Sequence, residues 1–105
     1  MGVLLLIRHG RTAANVDGVL AGRTPGIDLD DVGRQTATTL GERLAAVPVH
    51  VVVASPLERT QQTARLVFPG LEPTLEHRLL ECDYGQWQGA SLADLATHDL
   101  WPLVQ

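Results

Sequence analysis

The chain has 105 residues, 45% hydrophobic and 19% charged, enough for one small globular domain and too apolar for a disordered segment. Its basic residues are all arginine, eight against twelve acidic residues, and the net charge of −4 excludes a general nucleic-acid surface. The single cysteine, Cys82, cannot close an internal disulfide, no apolar run approaches the ~20 residues of a membrane span, and Met1-Gly2-Val3 lacks a basic leader, so a reducing cytoplasm is the expected setting.

Residues 3–7 are five consecutive apolar residues with β-branched members at both ends, the pattern of a parallel strand covered on both faces. They empty into Arg8-His9-Gly10-Arg11-Thr12, which sets a histidine among permanent positive charges beside a permissive glycine. Residues 10–29 form a polar passage broken by Gly18, Gly22, Pro25 and Gly26, with no regular element expected and a length that suits a functional loop. Leu29, Val32, Ala37, Leu40, Leu44 and Val47 then predict a helix, with Asp28 or Asp30 as its N-cap. Gly33 and Gly41 weaken it and Pro48 ends it.

Residues 49–54 read as a second strand that stops at Ser55-Pro56. Ser55 and Glu58 have capping-box spacing, and Pro56 suits the first helical position. This second helix presents Leu57, Gln61, Ala64 and Phe68 on one stripe and ends at Pro69-Gly70. Strand, loop, helix, strand, helix over residues 3–70 spells a right-handed crossover with parallel strands. A weaker strand is expected over residues 72–76, and Ser91 caps a last short helix to about Ala96.

In open parallel sheets, ligands bind outside the carboxyl ends of the strands. That edge receives Arg8, His9 and Arg11 from the first strand, and Ser55 with the helix turn carrying Arg59 from the second. Arginines, a histidine and a helix N-terminus suit a tetrahedral phosphate. His9 can serve there as a hydrogen-bond donor to phosphate or as a nucleophile toward phosphorus, and Glu81 is the candidate proton donor to a leaving alkoxide.

Leu6-Ile7-Arg8-His9-Gly10-Arg11-Thr12, then Asn15, Ser55-Pro56-Leu57 with Arg59-Thr60 and Thr63-Ala64, and Glu81 with Gly85, Trp87 and Gly89 resemble the histidine phosphatase superfamily, the phosphoglycerate-mutase-like clan. The resemblance covers essentially the whole chain. It implies a three-layer α/β/α fold with a mostly parallel sheet, and a metal-independent phosphomonoesterase that needs no cofactor and acts on a small phosphorylated substrate. By the same resemblance His9 is the phosphorylated nucleophile, Arg8 and Arg59 are phosphate ligands, Asn15 is a further phosphate contact and Glu81 is proton donor and acceptor. Arg11 stands open between phosphate contact and surface charge.

One departure bears on activity. The family carries a second catalytic histidine, followed by glycine, in the C-terminal half of its domain, and none of His50, His77 and His98 is followed by glycine. Residues 1–105 are therefore expected to be an incomplete domain truncated at Gln105, with uncovered strand edges that favour pairing into a homodimer. A phosphomutase and a non-catalytic phosphate-binding fragment are the alternative functions. Arg23 is expected as a solvated loop residue, Cys82 as a small buried hydrophobe, Trp87 as packing behind the Glu81 loop, and Trp101 as core or apolar stub.

Overall fold

The computed structural model describes residues 2–104. Among these, four α-helices, α1 (Ala13–Asp17), α2 (Asp31–Arg43), α3 (Glu58–Val67) and α4 (Leu92–Leu95), and two strands, β1 (Val53–Ala54) and β2 (Thr74–Leu75), are joined by loops and three single 3-10 turns. The strands pair in parallel, Val53 with Thr74 and Ala54 with Leu75, with α3 as the connection. This is the α/β unit expected, with two strand predictions shortened to two residues each.

The first predicted strand does not form. Residues 3–7 enter no ladder among the described residues, and Val3 and Leu6 are 86% and 87% exposed. A strand exists only where a neighbour takes its backbone N–H and C=O groups. Apolar character alone supplies no such neighbour.

The passage over residues 10–29 holds more structure than its glycines suggest. Thr12 caps α1: its hydroxyl accepts from Asn15 N–H, and the Asn15 side chain takes the Thr12 N–H, a reciprocal capping box. Gly18 closes the helix in the left-handed region at φ 65°.

Helix α2 starts where its N-cap predicts, with Asp30 Oδ1 accepting from Gly33 N–H at 2.7 Å. Its glycines mark the two places where other chain segments press against it. A Cβ on Gly33 would stand 2.2 Å from the Arg11 carbonyl oxygen, and one on Gly41 would stand 2.7 Å from the Val67 carbonyl oxygen on α3. The helix packs against the His9 loop at one end and α3 at the other.

Helix α3 departs from prediction twice. It begins at Glu58 with Leu57 as the N-cap residue, because the Glu58 carboxylate is turned to Gly26 N–H and does not close a box with Ser55. Ser55 Oγ instead takes the Leu57 N–H and bonds to Thr60 Oγ1. Its buried stripe is Arg59, Thr63 and Val67 in place of Leu57, Gln61, Ala64 and Phe68, although Leu57 is buried just before it. The stripe is polar because it faces loop backbone that needs hydrogen-bond partners. Helix α4 and its Ser91 cap follow the prediction closely.

Gly33→Ala is expected to destabilise the chain by about 1–3 kcal/mol despite the better helix propensity of alanine, since the new methyl group overlaps backbone that cannot rotate away. Gly70→Ala, where nothing lies within 4 Å, is the neutral control. Urea denaturation midpoints measure both.

Candidate active site

The loop after residues 3–7 is held from two sides. Gly10 N–H donates to Thr63 Oγ1 at 3.0 Å, and the same hydroxyl donates to the Arg59 carbonyl one helical turn back at 2.8 Å. On the other side, Asp30 N–H donates to the Arg11 carbonyl at 2.9 Å, and Arg11 Nε reaches Asp30 Oδ2 at 2.6 Å. The backbone around His9 is thereby strung between α3 and the start of α2.

Within that loop, His9 Nδ1 lies 2.7 Å from the Gly10 carbonyl oxygen. A carbonyl only accepts, so Nδ1 carries the proton, and in the neutral ring Nε2 keeps its lone pair. Partial burial is the main reason the imidazole pKa lies below its usual 6.5; the Gly10 bond opposes this, and the charges of Arg59 and Arg8 add to the lowering. Glu81 raises it through its negative charge. Arg8, Arg59 and Glu81 are thus the charges that bear on the His9 ring.

Arg59 is 3% exposed. One terminal nitrogen, NH2, donates to the Gly22 carbonyl at 2.7 Å, while the other, NH1, is buried with no hydrogen-bond partner among the described residues. Burial pushes its pKa down, with Glu81 and Glu58 pulling it back. A guanidinium stays protonated in proteins, so this is a buried cation with an unused donor beside a histidine. An anion is the partner that such an arrangement accepts.

The remaining predicted contacts are engaged elsewhere. Asn15 Oδ1 is committed to the Thr12 cap, and Arg11 is tied to Asp30 at the exposed side of the loop. Glu81 is exposed; its Oε1 accepts from Cys82 N–H at 3.0 Å. Cys82 is also exposed, contrary to its expectation as a buried hydrophobe, because the Glu81 loop lies on the surface. Trp87 packs its ring edge against His98 at 4.9 Å and lies 6.0 Å from half-buried Trp101, so it anchors residues 98–101 as well as its own loop.

Arg23 is an exposed loop residue, as expected, but it also ties two segments together. Its Nε donates to the Glu81 carbonyl at 2.6 Å, and its N–H is taken by Gln88 Oε1 at 2.8 Å. Adjacent Gly22 holds Arg59, so one loop dipeptide ties the buried arginine to the Glu81 segment. The signal in the sequence is faint: Gly22 sits at φ 53°, a turn position that glycine favours, and nothing marks Arg23 itself.

The chain matches the histidine phosphatase superfamily (branch 1) over residues 4–103. It belongs to that superfamily. Among its relatives, an adenosylcobalamin/alpha-ribazole phosphatase of Escherichia coli is 38% identical over 91% of this chain and 48% of its own length. A 2,3-bisphosphoglycerate-dependent phosphoglycerate mutase of Gloeobacter violaceus is 34% identical over 91% of this chain and 46% of its own. The solved structure of the mycobacterial glucosyl-3-phosphoglycerate phosphatase in complex with VO3 superposes with a TM-score of 0.81 at 30% identity, over 91% of this chain and 49% of that one. The fold is therefore the phosphoglycerate-mutase-like α/β fold, and this histidine phosphatase chain spans about half the length of the relatives it matches. Among the described residues no helix is long and apolar enough to cross a membrane, and no group of three His, Cys, Asp or Glu residues is arranged to hold a metal.

Two measurements check the site. The His9 ring followed by NMR is expected to titrate below 6.5, and Arg8→Gln, which removes one lowering charge at an exposed position, to move the midpoint upward. Because the folded value lies below the unfolded one, His9 contributes stability that rises with pH between the two. Thr63→Val keeps the side-chain shape but leaves the Gly10 N–H without its acceptor, with an expected cost of about 1–3 kcal/mol in urea denaturation.

Proposed function

We propose that this chain carries the phosphate-attacking half of a phosphomonoester hydrolase acting through a phosphohistidine on His9. The observation that carries the reading is the Nδ1 bond to the Gly10 carbonyl, which leaves Nε2 as the basic nitrogen beside a buried, part-unpaired Arg59. Residues 1–105 are read as an incomplete histidine phosphatase domain, in keeping with their span of 48% of the Escherichia coli phosphatase.

In this mechanism Nε2 of His9 attacks phosphorus while the bond to the ester oxygen breaks. The leaving alkoxide takes a proton from Glu81. Arg59 NH1 and Arg8 bind the equatorial oxygens as charge builds on them, and such preorganised donors lower the barrier without rearranging. Water then attacks the phosphohistidine, the N–P bond breaks, Glu81 recovers a proton from the water, and inorganic phosphate leaves. Arg11 and Asn15, engaged with Asp30 and Thr12, are phosphate contacts in this reading only through the donors those bonds do not use, the Arg11 terminal nitrogens and Asn15 Nδ2.

The substrate is a small phosphorylated molecule in this reading, as the substrates named for the relatives suggest. The similarity to a phosphoglycerate mutase supports a second reading, in which the phosphoryl group returns to an organic acceptor instead of to water.

Incubation with p-nitrophenyl phosphate, followed by a quench that preserves acid-labile phosphohistidine, tests the proposal. Labelled protein and nitrophenol release are expected from the chain and absent from His9→Ala, while Glu81→Gln is expected to slow release about 10²–10⁴-fold. Binding of inorganic phosphate without release or labelling would identify a non-catalytic binding module. Transfer to added 3-phosphoglycerate in preference to water would identify the mutase.

A further inference from the structure

Glu81 stands on a stretch with little to hold it. Residues 81–84 belong to no helix or strand, and residues 81–83 make no backbone–backbone hydrogen bond among the described residues. The chain is fastened on either side, where Leu80 N–H donates to the His77 carbonyl and Gly89 N–H donates to the Leu20 carbonyl at 2.8 Å. Between these points Cys82 N–H donates to the Glu81 carboxylate and Gly85 N–H to that of Asp83, bonds that close on the stretch itself. Among the described residues, the one hydrogen bond that ties residues 81–83 to another segment comes from Arg23, whose Nε donates to the Glu81 carbonyl at 2.6 Å.

Arg23 has a firm base for an exposed residue. Its N–H donates to Gln88 Oε1 at 2.8 Å, and the carbonyl just before it, that of Gly22, accepts from Arg59 NH2 at 2.7 Å. Gly22 is buried, and a Cβ there would stand 2.6 Å from Gln88 Oε1, so the dipeptide fits closely against the turn that follows Glu81. A line of bonds therefore runs from the buried guanidinium of Arg59, through Gly22 and Arg23, to the backbone of Glu81. Its last link is a charged donor on a carbonyl, a stronger bond than one between neutral groups.

We propose that Arg23 is a positioning residue for the proton donor, given the phosphatase reading of Glu81: it holds the Glu81 backbone at a set place relative to Arg59, so that the carboxylate meets the leaving oxygen of a phosphate bound there. The guanidinium acts through the Glu81 segment and not on the phosphate. Loss of such a bond is felt first in rate, because proton transfer to a leaving oxygen depends steeply on the placement of the acid.

Two variants and three readouts test this. Arg23→Met keeps the aliphatic stem without a donor, and Arg23→Lys keeps a charged donor that can reach a carbonyl. With p-nitrophenyl phosphate, Arg23→Met is expected to lower kcat about tenfold to a hundredfold with KM held within about twofold. Arg23→Lys is expected to recover most of that loss, and Arg23→Met to cost nothing further in a Glu81→Gln background. The second readout is the His9 ring followed by NMR. The Glu81 charge raises the His9 pKa, so Arg23→Met is expected to lower the midpoint, and to leave it unmoved once Glu81→Gln is present. This readout needs no turnover, so an inactive chain counts against the phosphatase reading while the NMR titration still decides the placement of Glu81. The third uses the unmutated chain: the Arg23 Nε–H proton is expected to exchange with solvent about tenfold slower than that of exposed Arg34. Equal exchange rates overturn the proposal, as does a His9 midpoint that Arg23→Met leaves in place or raises. So does a kcat loss that adds in full to that of Glu81→Gln, or a rise in KM at constant kcat, which would make Arg23 a substrate contact.

Discussion

Everything at the site depends on one hydroxyl. Thr63 accepts from Gly10 N–H on the His9 loop and donates to the Arg59 carbonyl within α3, so a single buried oxygen sets the distance between the histidine-bearing backbone and the helix that carries the arginine. Both bonds are short-range and inflexible, since one partner is helix backbone and the other is loop backbone pinned against Gly33. A buried N–H without its acceptor costs more than the bond gains, which makes this junction a constraint as well as an attraction.

The electrostatics follow from that placement. Arg59 lies deep in a protein whose net charge is −4, and its own neighbours Gly22, Glu81 and Glu58 compensate it only in part. The carbonyl of Gly10 favours a protonated His9, yet desolvation and the two arginine charges outweigh it, and the ring stays predominantly neutral near pH 7. The same carbonyl chooses the tautomer. One contact thus selects which nitrogen is basic, while burial decides that it is unprotonated.

What could be read from the sequence is what local chemistry decides. Asp30 and Ser91 act within a few residues of themselves, and the helices they cap start where predicted, although α2 ends at Arg43, short of Pro48; α1 and its closing glycine were concealed by the glycine-rich passage. The expectation that Arg8, His9, Arg59 and Glu81 act together rests on the rule that ligands bind at strand ends, joined to the resemblance of four motifs. Three features were not legible. Residues 3–7 have every property of a strand except a partner, and no single segment announces whether its partner is present. The α3 stripe was read on apolar residues, although Arg59 and Thr63 are buried because loop backbone opposes them. Arg23 acts through its guanidinium on a carbonyl 58 positions away, a contact that no spacing pattern encodes.

The contrast between helices and strands explains which loops stay fixed in a chain that covers about half the length of the Escherichia coli phosphatase. A helix satisfies its backbone internally, and α2 and α3 meet through Gly41 and the Val67 carbonyl, with α3 also packed on β1. A strand has no such independence, and the sheet here shrinks to the one pair whose members are both at hand. The site survives because its loops hang from helices: Gly10 from Thr63, Arg11 from Asp30, Gly22 from Arg59. The sheet therefore contributes one short strand pair, whereas α3, through Thr63, ties the backbone beside His9 to that of Arg59.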